Sequence, residues 1–140
     1  MRLELFINFN GECGEAVEFY AKVFKTEVSG LMKYGDVPPV PNHATPDADK
    51  NKVLYAGVKI GEVNVMFCDV ASGADFAKGN NINPTVSMDS FDEVRRVFDE
   101  LKSGGEVKMP LQKTFFSDLY GIIKDKFGIT WQILHYAGNY

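Results

Sequence analysis

"MPLQKTFFSDLYGIIKDKFGITWQIL", from Met109 to Leu134, poses the choice on which the fold turns: strands that merely close a small sheet, or the wall of a ligand site. Trp131 and Ile133 alternate with Thr130, Gln132 and Leu134, the period-2 pattern of a strand with one face packed and one open. If the tryptophan and isoleucine pack under helices, Gln132 faces the other way. In "KDKFG" ahead of this strand, Asp125 and Gly128 are turn residues with a structural task, and Lys124 is a solvated charge. Three strands fit this part of the chain, in "EVKMPLQK", "LYGIIKD" and "ITWQILHY".

Working back toward the N-terminus, "SFDEVRRVFDELKSGG" reads as an amphipathic helix. Ser90 is its N-cap, Glu93 completes a capping box, and Val94, Val97, Phe98 and Leu101 form the buried stripe before Gly104 and Gly105 end it. "INPTVSM" before it is a strand. The first half shows the same order. "LELFINF" puts Leu3, Leu5, Ile7 and Phe9 on one face and Glu4, Phe6 and Asn8 on the other. "EAVEFYAKVF" then carries Ala16, Phe19, Tyr20 and Val23 at helical spacing. "EVSGLMKY" is a strand, and "KVLYAGVKI" with "VNVMFCDV" forms a hairpin around Gly61 and Glu62. Between them, "GDVPPVPNHATPDADKN" is too rich in Pro, Asn and Asp for helix or central strand, and forms a long loop.

The repeat also shows in letters. "GEAVEFYAKVFKTEV" lies over "FDEVRRVFDELKSGGEV", and "KIGEVNVMF" over "KFGITWQIL", with the helix match offset by about ten residues more than the hairpin match. An insertion of the Pro-rich loop in the first half alone accounts for that difference. The chain reads as two tandem βαβββ modules, residues 1–70 and 80–140, within a single α+β domain spanning 1–140.

Composition narrows the partners. A chain of 140 residues with 45% hydrophobic and 24% charged residues matches one ordinary domain with one core. Net charge is -4, and Lys and Arg are scattered rather than gathered into a stripe, which argues against nucleic acid. No apolar run approaches the roughly 20 residues that cross a membrane, and "MRLELFINFN" alternates where a signal peptide would be uniformly apolar. These features point to a cytoplasmic protein that does not bind membranes. Cys13 and Cys68 have no CxxC spacing and are expected to be free thiols.

Two tandem βαβββ modules resemble the vicinal-oxygen-chelate superfamily, which includes glyoxalase I, bleomycin-resistance proteins and extradiol dioxygenases. "INFNGECGEAVEFYAKVF", "LYAGVKIGEVNVMF" and "MPLQKTFFSDLYGIIKDKFGITWQI" are similar to its PhnB-like branch. The resemblance implies a paired, curved eight-stranded mixed sheet with helices on its outer face, a small-molecule ligand on the concave face, and a homodimer. It also implies chelating positions at Glu4, at Asn83 or a neighbour, at Gln132, and near Met66. Only Glu4 among these is a carboxylate, and amide oxygens and a thioether are weak partners for Mg2+, Mn2+ or Ca2+. A divalent metal is therefore disfavoured and no cofactor is assigned, with Glu4 the one candidate metal ligand. His43 and His135 offer no ligand spacing.

Strand parity extends the candidate ligand-binding set. Glu4, Phe6 and Asn8 share a face on which a carboxylate among apolar neighbours would have a raised pKa and could carry a proton. Tyr55 and Gly57 oppose Leu54, Ala56 and Val58, which sends Tyr55 to the ligand side, with Phe67 a further aromatic candidate. The parity of Asn64 and Met66 stays open, because both faces of their strand are nearly apolar. Phe115, Phe116 and Tyr120 suggest a pocket cover or dimer contact. The resulting ligand set is Glu4, Phe6, Asn8, Tyr55, Met66, Asn83 and Gln132. Its expected use is binding and sequestration or metal-independent chemistry, the alternative being a metal-dependent lyase, isomerase or dioxygenase. Some members of this branch carry a ubiquinone-related methyltransferase label, but no glycine-rich nucleotide-cradling turn is present, so methyl transfer has little weight.

Overall fold

Alternation of burial along each strand sets the architecture of this computed structural model, which describes residues 1–39, 44–136 and 138. His43 lies outside the described residues. The chain divides into two compact units, Met1–Ala77 and Lys78–Tyr140. The first contains β1 (Phe6–Phe9), α1 (Cys13–Val23), β2 (Val28–Lys33), β3 (Val53–Ile60) and β4 (Val63–Asp69). The second contains β5 (Thr85–Met88), α2 (Phe91–Leu101), β6 (Glu106–Gln112), β7 (Tyr120–Lys124) and β8 (Thr130–His135).

Each unit is a four-stranded mixed sheet, ordered β1-β4-β3-β2 in the first and β5-β8-β7-β6 in the second. The first and last strands of each module pair in parallel and the other neighbours are antiparallel. The fold is thus α+β and built of two βαβββ modules.

α1 lays Ala16, Val17, Tyr20 and Val23 on its sheet, where Tyr20 stacks on Phe67 with ring centres 5.6 Å apart and Phe67 stacks on Phe9 at 6.3 Å. α2 buries Val94, Val97, Phe98 and Leu101, the stripe read from the sequence. Trp131, Ile123 and Ile133 supply the sheet side of the second core. The Ser90 hydroxyl accepts the Glu93 N–H as expected of an N-cap. Gly104 takes a φ of +73° at the helix exit, and a side chain on Gly105 would run into the Lys124 carbonyl oxygen. Only glycine allows that close approach of backbone to backbone.

Two expectations change. The first strand begins at Phe6 rather than Leu3, because pairing with β4 ends at the Leu5 carbonyl, which accepts the Met66 N–H at 3.0 Å; Leu3 is 97% exposed. Phe67 belongs to the helix-side core and is no pocket wall, being fully buried between Tyr20 and Phe9.

Buried carboxylates tie the ends of elements together. Asp125, 3% exposed, accepts the Phe127 and Ile129 N–H groups through Oδ1 and the Trp131 indole N–H through Oδ2 at 2.8 Å. Asp125→Ala leaves three donors without that acceptor, and a buried donor without a partner costs on the order of 1–3 kcal/mol. Urea unfolding followed by the single tryptophan should show a stability loss of about 2–4 kcal/mol. A change within about 0.5 kcal/mol would mean that the turn holds without its carboxylate.

Candidate functional site

On β4 the residues Val65, Phe67 and Asp69 are buried while Asn64 is exposed and Met66 and Cys68 are half-buried, which settles the parity that the sequence left open. Phe6 pairs with Met66 and Asn8 with Cys68, and Gly57 of β3 lies across from Met66. Phe6, Asn8, Tyr55, Asn64, Met66 and Cys68 therefore share the face of the first sheet turned away from α1. We call this its open face. Phe6 is 46% exposed there. The Asn64 amide donates to the Tyr55 hydroxyl at 3.5 Å. A Cβ on Gly57 would sit 2.9 Å from Asn64 Oδ1 and 2.8 Å from Ser29 Oγ, so the absent side chain makes room for both.

Glu4 lies outside this group. It precedes β1, its side chain is 47% exposed, and it pairs with the Arg2 guanidinium at 2.9 Å. An exposed pair of this kind contributes about 0–1 kcal/mol.

In the second module, Trp131 and Ile133 pack beneath α2 and Gln132 takes the opposite face. Its register neighbours are Thr85 on β5 and Ile122 on β7. The Tyr120 hydroxyl donates to Gln132 Oε1 at 2.9 Å; Tyr120 is 8% exposed and meets the edge of Phe116 at 4.9 Å between ring centres. Phe115 and Phe116 are themselves exposed. Asn83 precedes β5 and donates through Nδ2 to the Asn80 carbonyl at 3.1 Å.

Backbone register relates the two faces. The Met66 N–H reaches the Leu5 carbonyl and the Gln132 N–H reaches the Pro84 carbonyl, each at 3.0 Å. Met66 and Gln132 are thus equivalent, and so are Glu4 and Asn83, each two residues ahead of a paired strand residue. The letter match of "KIGEVNVMF" to "KFGITWQIL" is slipped by one residue, since it places Gln132 on buried Val65. Unequal turns cause the slip: Gly61 and Glu62 alone join β3 to β4, whereas residues 125–129 join β7 to β8.

The four equivalent positions hold one carboxylate, one thioether and two amides. Taken module by module, neither Glu4 with Met66 nor Asn83 with Gln132 offers the several anionic or strongly polar oxygens that a hard divalent cation needs. Among the described residues no three or more His, Cys, Asp or Glu side chains are gathered in a way that could hold a metal ion. Gln132 has its oxygen engaged by Tyr120, and His135 stacks on Phe91 at 4.1 Å with Nε2 against the Asp89 carbonyl.

Two features escaped sequence reasoning. Cys68 lies on the first open face and donates its thiol to Asn8 Oδ1 at 3.1 Å. The i, i+2, i+4 spacing of Asn64, Met66 and Cys68 could have found it once the parity of one member was known. Burial, then the charge of Asp69, raises the Cys68 pKa, so it is a neutral thiol at physiological pH. The second feature is a cavity of about 430 Å3 in the first module, lined by Tyr34, Leu54, Ser72 and parts of the Pro-rich loop. Asp49 borders it and is held by the Ser72 hydroxyl at 2.6 Å, the Ser72 N–H at 2.9 Å and Lys52 at 3.0 Å. The Ser72 hydrogen bonds, with Lys52, lower the Asp49 pKa to about 2.

The fold is the one found in a glyoxylase/bleomycin resistance protein/dioxygenase domain from Frankia sp. EAN1pec, at a TM-score of 0.61 and 13% identity. A family model described as 3-demethylubiquinone-9 3-methyltransferase matches residues 2–134, and the chain belongs to that family. It is 26% identical to the protein YjdN of Escherichia coli strain K12, over 95% of this chain and 94% of that one. The crystal structure of PA1353 from Pseudomonas aeruginosa superposes with a TM-score of 0.84 at 27% identity, covering 96% of this chain and 98% of the other. A PhnB protein from Bacillus cereus shares the fold with a TM-score of 0.80 at 24% identity, over 97% and 100% of the two chains.

The thiols give a pH-dependent check on the first open face. Burial, followed by Asp69 and Cys68, pushes the Cys13 thiol up to about 12, and Cys13 is fully buried. Iodoacetamide should therefore label Cys68 alone in the folded chain, at a rate still climbing beyond the pH of an ordinary thiol's midpoint, with Cys13 reacting only in denaturant. Rapid labelling of Cys68 at neutral pH would show that its thiol is ionised and is no donor to Asn8.

Proposed function

We propose that this chain binds a small, partly apolar molecule on its open sheet faces and acts by sequestration or metal-independent chemistry. The observation that carries the reading is the side-chain chemistry at the equivalent positions Glu4, Met66, Asn83 and Gln132. Amides beside Phe6, Tyr55, Met66 and Ile122 suit hydrogen bonding to an organic molecule better than they suit cation coordination. A homodimer in the cytoplasm completes the proposal. The exposed Phe115 and Phe116 support the dimer, and the two free cysteines are compatible with a reducing compartment.

The first strand-to-helix turn bears on methyl transfer from a nucleotide-like donor. Its Gly11 and Cys13 N–H groups point at Asp69 Oδ1, at 2.7 and 3.0 Å. An internal carboxylate already takes these two donors, so this turn does not offer them to a cofactor.

Thermal-shift titration of chelator-stripped protein tests the metal-free reading, because a ligand that binds only the folded state raises stability by RT ln(1 + [L]/Kd). Mn2+, Ni2+, Zn2+, Fe2+ and Mg2+ should each leave the midpoint unchanged. A saturable rise with one of them, lost in Glu4→Ala, would overturn the reading and return the metalloenzyme.

Light scattering at micromolar concentration should report near twice 15.6 kDa, as expected for an interface burying about 1,600 Å2 in total. A mass of one chain would remove the dimer.

A further inference from the structure

Asn8 and Gln132 occur in similar pairings in the two modules. In each, a neutral donor on a neighbouring strand occupies the amide oxygen: the Cys68 thiol on Asn8 Oδ1 at 3.1 Å, and the Tyr120 hydroxyl on Gln132 Oε1 at 2.9 Å. A side-chain amide has an accepting end and a donating end, and a bond to one fixes where the other stands. Asn8 Nδ2 and Gln132 Nε2 make no hydrogen bond among the described residues. Neither is sealed away: Asn8 is an exposed residue, and Gln132, half-buried, has no buried side-chain polar atom lacking a partner among the described residues. Both NH2 groups are thus available to a molecule on the open faces.

The surroundings of these two amides are uncharged. Asn8 has Cys68 beside it and Phe6 and Met66 one pair along; Gln132 has Thr85, Ile122 and Tyr120. Lys59 and Lys124, with Glu106 directly across from Lys124, share these faces only toward the strand ends, where all three are exposed. A carboxylate or phosphate lying over the amides would be desolvated without a cation at hand, which is costly. Asn64 and Asn83 are tied through their nitrogens, to the Tyr55 hydroxyl and the Asn80 carbonyl, and so have the opposite polarity.

We infer that the ligand is a neutral, partly apolar molecule that sets a carbonyl-type oxygen against the NH2 of Asn8 or Gln132, with Cys68 and Tyr120 as the positioning residues that fix this polarity. The inference rests on the binding role proposed above and specifies the class of molecule. Tyr120 gives the sharper case. Without its hydroxyl, Gln132 Oε1 loses its partner and the amide is free to turn over, accepting from a donor as readily as donating to a carbonyl.

Three probes of matched size and different polarity test this: acetophenone, benzoate and benzylamine, titrated into the 15N-labelled full chain. The side-chain NH2 signals are assigned by their loss in Asn8→Asp and Gln132→Glu. Acetophenone should shift one or both NH2 pairs saturably, and at lower concentration than benzoate or benzylamine does. In Tyr120→Phe its preference over benzylamine should fall by about tenfold, which is one hydrogen bond's worth of discrimination, with the Trp131 emission of the native fold retained. Tighter binding of benzylamine or benzoate to the same residues would overturn the polarity and leave the binding face standing. An unaltered preference in Tyr120→Phe would remove Tyr120 as the positioning group. Shifts absent from both open faces with all three probes would overturn the binding role itself, and this inference with it.

Discussion

Asp69 holds the first module together. Its buried carboxylate accepts three backbone N–H groups: Gly11 and Cys13 at the start of α1, and Val53 at the start of β3 at 2.9 Å. Those donors would otherwise lie against an apolar core with no water to satisfy them. One carboxylate at the end of β4 thereby fixes where the helix starts, where the neighbouring strand starts, and which face of β4 looks away from α1. Asn64, Met66 and Cys68 occupy the open face because Val65, Phe67 and Asp69 are committed to the other. The candidate site is a by-product of that commitment.

Polar groups with defined partners likewise shape the chemistry of the open faces. Few charges stand at their centres, and the amides are held in place by hydroxyl and thiol neighbours. Such a surface distinguishes ligands by the direction of a hydrogen bond rather than by net charge, and an error of direction leaves a polar group unpaired. The lone carboxylate among the equivalent positions, Glu4, pairs with Arg2 in solvent and adds little to this surface.

Much of the fold was legible because it rests on local signals. The 3.6-residue stripe of α2, the Ser90 cap and the alternation around Trp131 each depend on residues close in sequence. Reading failed where a distant partner decides. Strand pairing from Leu3 looked as regular as pairing from Phe6 until the end of the contact with β4 distinguished them. Phe67 and Met66 are both apolar, and only the position of Tyr20 on α1 tells core from open face. The letter match between modules slipped by one residue because turn length, invisible to a comparison of strand residues, differs between the two hairpins. In a strand, an error of one residue is an error of face.

The two helices begin by different means. α2 carries its own cap, with Ser90 reaching an N–H only three residues away. α1 waits for Asp69, which lies 58 residues from Gly11 and 56 from Cys13. Contacts of such separation form late, because the entropy of closing the intervening loop is lost before the bond is made. The start of α2 is set within its own neighbourhood, while the first module must gather nearly its whole length, the Pro-rich insertion included, before its helix is anchored. A duplicated architecture thus positions its two helix starts differently, by a local contact in the later half of the chain and by a long-range one in the earlier half.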